Sequence, residues 1–221
     1  MFKTEFATPI DKSGNSEAAA QLRKLIYPFM LRRTKEQVAT DLPDKTETIL
    51  WCEMNKEQRA VYDEYKNYYR HQLLNKIEES GINNAAIYIL EGLMRLRQIC
   101  DSPVLVKDEE VTSKASIKME ELLREVLENT GNHKLLIFSQ FTEMLKLVKE
   151  AFIENKITHL YLDGSTPAGK RKDLVDQFQT DHSIKAFLIS LKAGGVGLNL
   201  TAADYVYLID PGGTLRLKTR Q

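Results

Sequence analysis

From Ser116 onward the chain alternates four short apolar runs with amphipathic segments, and this alternation limits the fold more than any other feature of the sequence. The runs are KLLIFS from Lys134, THLYLD from Thr158, KAFLIS from Lys185 and YVYLID from Tyr205. Their apolar character reads as buried parallel strands. Between them, residues 144–154 place Leu145, Val148 and Phe152 on one helical face, and residues 170–178 do the same with Leu174 and Phe178. Repeated βαβ units of this kind give an open, doubly wound α/β sheet whose ligand surface lies at the strand carboxyl ends. Chemistry is therefore expected in the turns after Phe138, Leu162, Ile189 and Ile209.

The first half reads as helices. Residues 17–26 form one, stopped near Pro28, and residues 35–40 form another behind a Thr34-x-x-Gln37 capping box, ended by Leu42-Pro43. The run TETILWCEM, residues 46–54, predicts a strand leading into a long helix begun by Asn55. Tyr65, Tyr68, Tyr69, Leu73 and Ile77 fall at helical spacing as a packing stripe. A second helix over 85–100 carries Ile89, Leu93, Leu96 and Ile99, and Pro103 closes it.

A chain of 221 residues can bury one good core, or one core with a smaller satellite. Its 43% hydrophobic and 28% charged residues exclude a disordered or membrane chain. The start MFKTEFATPID has no apolar signal core, and no apolar run approaches the ~18 residues of a bilayer span, so a cytosolic protein with no membrane partner is expected. Cys52 and Cys100 stand too far apart for a zinc pair and have no histidine cluster beside them; they predict small buried thiols and no metal site. Lys+Arg and Asp+Glu are both 31, so any nucleic-acid surface must be local. The candidate basic clusters are Arg32-Arg33-Thr34-Lys35, Arg95-Leu96-Arg97 and Lys170-Arg171-Lys172. Taken singly, each reads as a solvated helix face.

Three strand ends carry small, phosphate-compatible groups. Ser139-Gln140-Phe141 follows the first strand, with Thr142 placed to cap the next helix. After the second comes Asp163-Gly164-Ser165-Thr166-Pro167, where glycine allows close backbone approach and the hydroxyls can donate to a phosphate. After the third, SLKAGGVGLNL from Ser190 sets three glycines in four positions, a backbone nest for an anion. Residues 164–171 also fit the P-loop pattern G-x-x-x-x-G-K, with Arg171 where Ser or Thr would hold magnesium. A cation in that place, and Pro167 within the loop, argue that the match is accidental. Gly195-Val196-Gly197 could also begin a dinucleotide fingerprint, but Leu200 stands where its third glycine belongs and no acidic residue follows at the required distance.

Six motifs then occur in one order over about residues 6–211: LRRTK from Leu31, LPDK from Leu42, MRLRQICDSP from Met94, LLIFSQFTEML from Leu135, LDGSTP from Leu162 and SLKAGGVGLNLTAAD from Ser190. In this the chain resembles the Swi/Snf-type ATP-dependent DNA translocases of helicase superfamily two. The resemblance implies a helical linker and protrusion region over 1–111 and a second RecA-like lobe over 112–221, incomplete at its C-terminus. It implies DNA-backbone contacts from Ser139, Gln140, Phe141, Gly164, Ser165 and Thr166, joined by Lys170, Arg171, Ser190 and Lys192. It also implies an inter-lobe nucleotide face at Gly194, Gly195, Gly197 and Asn199. The expected partners are double-stranded DNA, a first RecA-like lobe and a DNA-bound protein complex, in the nucleoid or the nucleus. ATP and Mg2+ serve the complete enzyme. The family's Walker motifs are not found in this sequence, and Arg216 and Arg220 after Asp210-Pro211 do not match its arginine helix, so the chain alone is expected to be inactive as an ATPase. The alternative that the residues leave open is a non-catalytic nucleic-acid-binding module.

Overall fold

The computed structural model describes residues 2–31, 46–80, 82–109, 111, 113, 115–194 and 198–211. The expected helix at 35–40 with its capping box and the Leu42-Pro43 stop lie outside them, as does Arg32-Arg33-Thr34-Lys35. The chain divides into two compact units, residues 1–50 and 51–221.

In the first unit, α1 (Thr8–Ser13) ends where Gly14 takes a left-handed φ of 59°, and α2 (Ser16–Ile26) starts on Asn15. The Asn15 side chain accepts the Glu17 and Ala18 amides at 3.0 Å, so this helix begins where its orphan donors are satisfied. A tight turn over Tyr27–Phe29, built around Pro28, ends it as the sequence predicts.

The second unit opens with a helical hairpin, α3 (Lys56–Ser80) and α4 (Ile82–Asp101). Asn55 caps α3 by accepting the Gln58 amide at 2.8 Å. Tyr69 lies against Gly92, and the Lys76 ammonium sits 5.6 Å over the Tyr88 ring, so the helices run antiparallel. A Cβ on Gly92 would fall 3.0 Å from the Tyr69 ring, which is why a glycine stands there. The expected α4 stripe is only partly inward: Ile99 is buried, but Ile89 and Leu93 are exposed. Ala85, Gly92 and Ile99, spaced by seven, form the buried seam instead. The strand expected over 46–54 does not form. Residues 46–54 carry no regular secondary structure, and β-propensity without a paired strand does not hold an extended segment in register.

The remainder is the predicted α/β sheet. Its elements are α5 (Ile117–Arg124), β1 (Leu135–Ser139), α6 (Thr142–Glu154), β2 (His159–Leu162), α7 (Ala168–Thr180), β3 (Ala186–Ser190), the short α8 (Leu191–Gly194) and β4 (Tyr205–Leu208). All pairings are parallel, in the order β2-β3-β1-β4. Alternate strand residues feed two cores: Leu135, Ile137 and Leu188 join Met144, Val148 and Phe152 of α6, while Leu136, Phe187 and Ile189 join Phe178 of α7. Helices thus cover both faces, as a parallel sheet requires. One strand departs from the buried reading. Among the described residues β4 is an edge strand bonded only to β1, and it leaves Val206 and Leu208 exposed. Gln58, fully buried, ties the hairpin to this sheet by donating to the Ile99 carbonyl at 2.8 Å and accepting the Ile117 amide at 3.2 Å.

Candidate nucleic-acid interface at the strand carboxyl ends

Because all four strands run the same way, the 139–141, 163–167 and 190–194 turns and Asp210 lie along one edge of the sheet. The 139–141 turn is held from inside. Buried Asp210 accepts the Gln140 amide at 2.9 and 3.1 Å and the Ser139 hydroxyl at 3.1 Å, and Ser139 Oγ in turn accepts the Phe141 amide at 3.0 Å. Thr142 is therefore not a cap: Phe141 occupies the N-cap position of α6 with no side-chain cap, and Thr142 is the first helical residue. Behind Asp210 lies a second buried carboxylate, Asp101, at the end of α4. Lys118 joins Asp101 to the chain just before Asp210, donating to Asp101 Oδ1 at 2.6 Å and to the Ile209 backbone carbonyl at 3.0 Å. Asp101 Oδ2 has no hydrogen-bond partner. Burial pushes the Asp101 carboxyl up to about 6 against the pull of Lys118, and burial also raises that of Asp210.

The 163–167 turn satisfies itself. Asp163 Oδ1 accepts both the amide and the hydroxyl of Ser165, at 2.9 and 2.6 Å, which holds the Asp163 carboxyl below its usual range. Thr166 Oγ1 accepts the Asp163 amide at 3.1 Å. Arg171 folds back over the turn, its guanidinium donating to the carbonyls of Thr166, Asp163 and Gly164 at 2.9, 3.3 and 3.4 Å. A triphosphate cradle needs inward amides facing an open centre. Here the amides of Ser165 and Thr166 are engaged by Asp163, and a guanidinium lies against the carbonyls, which supports the reading of the P-loop match as accidental. Gly164 faces open space, and Lys170 is exposed in the first turn of α7.

At the third turn Ser190 is buried, and its hydroxyl accepts the Ala193 amide at 3.3 Å. Lys192 projects into solvent. A Cβ on Gly194 would stand 2.8 Å from the Phe138 ring and 3.3 Å from Ile189, so this glycine lets the third turn pack on the residue preceding the first. Gly194→Ala is expected to cost about 1–3 kcal/mol through overpacking, read as a lowered denaturant midpoint, and Phe138→Leu should recover part of the loss. Gly195 and Gly197 lie outside the described residues. Exposed Asn199 is reached by Gln179 of α7, which donates to its carbonyl at 2.9 Å and to Thr201 Oγ1 at 3.1 Å while accepting the Ala202 amide at 2.8 Å.

The edge thus brings together Ser139, Gln140, Phe141, Gly164, Ser165, Thr166, Lys170, Arg171, Ser190, Lys192 and Gly194, with the hydroxyls of Ser139 and Ser190 already committed inside the molecule. The sequence alone marks no role for Asp101, Lys118 or Gln179. Asp210 does not suit a metal, since both of its carboxylate oxygens are engaged by the 139–141 turn. Among the described residues no group of three or more His, Cys, Asp or Glu side chains could hold a metal. Cys52 and Cys100 are free thiols, half-buried and not fully enclosed. No described helix is long and apolar enough to cross a membrane.

Among the described residues, a four-stranded parallel sheet covered on both faces, with its polar turns gathered at the carboxyl edge, is an open α/β architecture of the kind found in RecA-like lobes. Residues 1–105 match the SNF2-related domain and residues 117–218 the helicase conserved C-terminal domain. The SWI2/SNF2 ATPase C-terminal domain of Sulfolobus solfataricus superposes with a TM-score of 0.62 at 32% identity, over 75% of this chain and 72% of that one. The core of the same ATPase in complex with dsDNA gives 0.63 at 34%, over 94% of this chain and 44% of its own. The uncharacterized ATP-dependent helicase MG018 of Mycoplasma genitalium is 36% identical over 94% of the chain. The chain belongs to the SWI2/SNF2 family. It spans 20% of the length of that Mycoplasma relative.

Proposed function

We propose that this chain is part of an ATP-dependent double-stranded-DNA translocase, to which it contributes DNA-backbone contacts and a portion of the inter-lobe ATP face. Residues 1–111 act as the helical linker and protrusion region, and residues 112–221 as the second RecA-like lobe. The observation that carries the reading is the alignment of three polar turns on one sheet edge with exposed Lys170 and Lys192 beside them. A relative of the same fold, solved with dsDNA, supports it. Gln140, Phe141 and the 164–166 turn face the backbone of the duplex, while Ser139 and Ser190 brace those turns from within. Gly194, Gly195, Gly197 and Asn199 belong to the nucleotide face, completed by a first RecA-like lobe that brings ATP and Mg2+. The chain by itself does not turn over ATP. A DNA-bound protein complex is the load on which such a motor acts.

A surface with few cations neutralises few phosphates, so duplex binding by this chain should be weak, indifferent to sequence and reduced by salt along a shallow slope. Lys170→Glu with Lys192→Glu is expected to lower duplex affinity at least tenfold near 50 mM salt and to flatten the plot of log K against log salt. Lys192 is a cleaner partner than Arg171, whose guanidinium holds the 163–167 turn together. Unchanged affinity in the double variant would place the DNA face elsewhere.

A further inference from the structure

We propose that Arg97 is a DNA-phosphate ligand that completes the 139–141 turn. The inference rests on the reading of this edge as a DNA-backbone surface and adds a residue to it from outside the lobe's own turns. The turn itself, Ser139-Gln140-Phe141, is neutral, and the groups beneath it are the carboxylates of Asp210 and Asp101. A neutral turn over buried carboxylates does not attract a phosphate unless a cation is supplied to it. Lys118 cannot be that cation, because its ammonium is held by Asp101 and the Ile209 carbonyl.

Arg97 can. It projects from the last turns of α4, where its Nη2 donates to Gln140 Oε1 at 3.3 Å and its guanidinium carbon lies 5.7 Å from the centre of the Phe141 ring. The stacked ring and the amide fix the plane of the guanidinium while leaving most of its donors uncommitted. It is half-buried and forms no ion pair with a described carboxylate. Glu143 in the first turn of α6, the acidic residue that could have claimed it, is paired with Lys146 at 2.7 Å and Lys107 at 3.6 Å. Its neighbour in the same sequence cluster behaves differently. Arg95 donates to Gln98 of its own helix and to the Val106 carbonyl in the turn that follows α4. One basic cluster in the sequence is thus divided by the helix into a structural arginine and one turned toward the sheet edge. A planar fork with free donors, prearranged beside a polar turn, is suited to a phosphodiester oxygen pair.

The test measures duplex affinity of the whole chain against salt for the wild type, Arg97→Gln and Arg97→Lys, with a random-sequence DNA duplex as probe and unfolding midpoints as a control for folding. A phosphate ligand predicts that Arg97→Gln lowers the magnitude of the salt slope by about one and weakens binding several-fold at low salt, whereas Arg97→Lys keeps the slope. Weaker binding with an unchanged slope in both variants would show that Arg97 only positions the turn, and would overturn the proposal while leaving the DNA surface in place. Absence of any salt-dependent duplex binding by the wild type would overturn the DNA reading itself.

Discussion

Asp210→Ala is expected to destabilise the 51–221 unit by about 2–5 kcal/mol and to abolish measurable duplex binding. The Asp210 carboxylate is 4% exposed and receives the Gln140 amide and the Ser139 hydroxyl. Truncation takes away the acceptor of the Gln140 amide and leaves the Ser139 hydroxyl only the Phe141 carbonyl at 3.1 Å, and an orphaned donor costs about 1–3 kcal/mol. The loss extends beyond stability, because the same bonds fix where Gln140 and Phe141 project. Asp210→Asn should fall between the wild type and the alanine variant, since its amide retains one acceptor oxygen but sets an NH2 group against existing donors. Chemical denaturation and duplex titration on the same preparations would check both effects. Full duplex affinity in a destabilised Asp210→Ala chain would mean that the turn does not depend on this anchor.

The second large effect is expected for Lys118→Met, and it carries a pH signature. Removing one partner of a buried ion pair costs about 3–5 kcal/mol when the other must stay charged. Asp101 is 1% exposed, and already carries one oxygen without a partner. Its carboxyl stands at about 6 in the folded chain against 3.8 in the open one. A raised folded value means that the proton is held more tightly in the native state. The stability linked to protonated Asp101 is therefore complete below about pH 4 and is lost as pH rises through about 6, a change on the order of 3 kcal/mol. Without Lys118 the folded value moves higher still, so the cost of Lys118→Met should be small at pH 5 and large at pH 8. Asp101→Asn should remove this pH dependence and restore most of the stability of the Lys118→Met chain. Denaturant unfolding of the three variants between pH 5 and 8 measures it, and a cost independent of pH would show that Lys118 acts through packing alone.

The sheet was legible because its information is local. Runs such as KAFLIS, buried at every position of β3, and the helical spacing of Leu145, Val148 and Phe152 announce their environments without knowledge of any partner. The stretch over 46–54 has the same β-rich composition but forms no strand, because composition does not supply a partner to pair with. Ile89 and Leu93 share that ambiguity: apolar spacing marks a face, while the choice of which face α4 buries was made by Gly92, through the room it leaves for Tyr69. At the candidate site, the turn residues could be found from their chemistry and position at strand ends. Their supports could not. Asp210 reaches Gln140 across 70 residues and Lys118 reaches the Ile209 carbonyl across 91, and nothing in the residues around them marks these contacts. Arg97 was visible as one of a basic pair, but only the turn of α4 distinguishes it from Arg95.

If duplex DNA is held along the carboxyl edge of the sheet, amide hydrogen exchange of the whole chain at low salt should slow on adding a DNA duplex in peptides covering 139–143, 163–171 and 190–194, and added salt should reverse the effect. The opposite edge, where Gly131, His133, Lys134, Ser183 and Lys185 line a polar groove, should be unaffected. Protection confined to that opposite edge, or no protection at any of the three turns, would contradict this placement of the duplex.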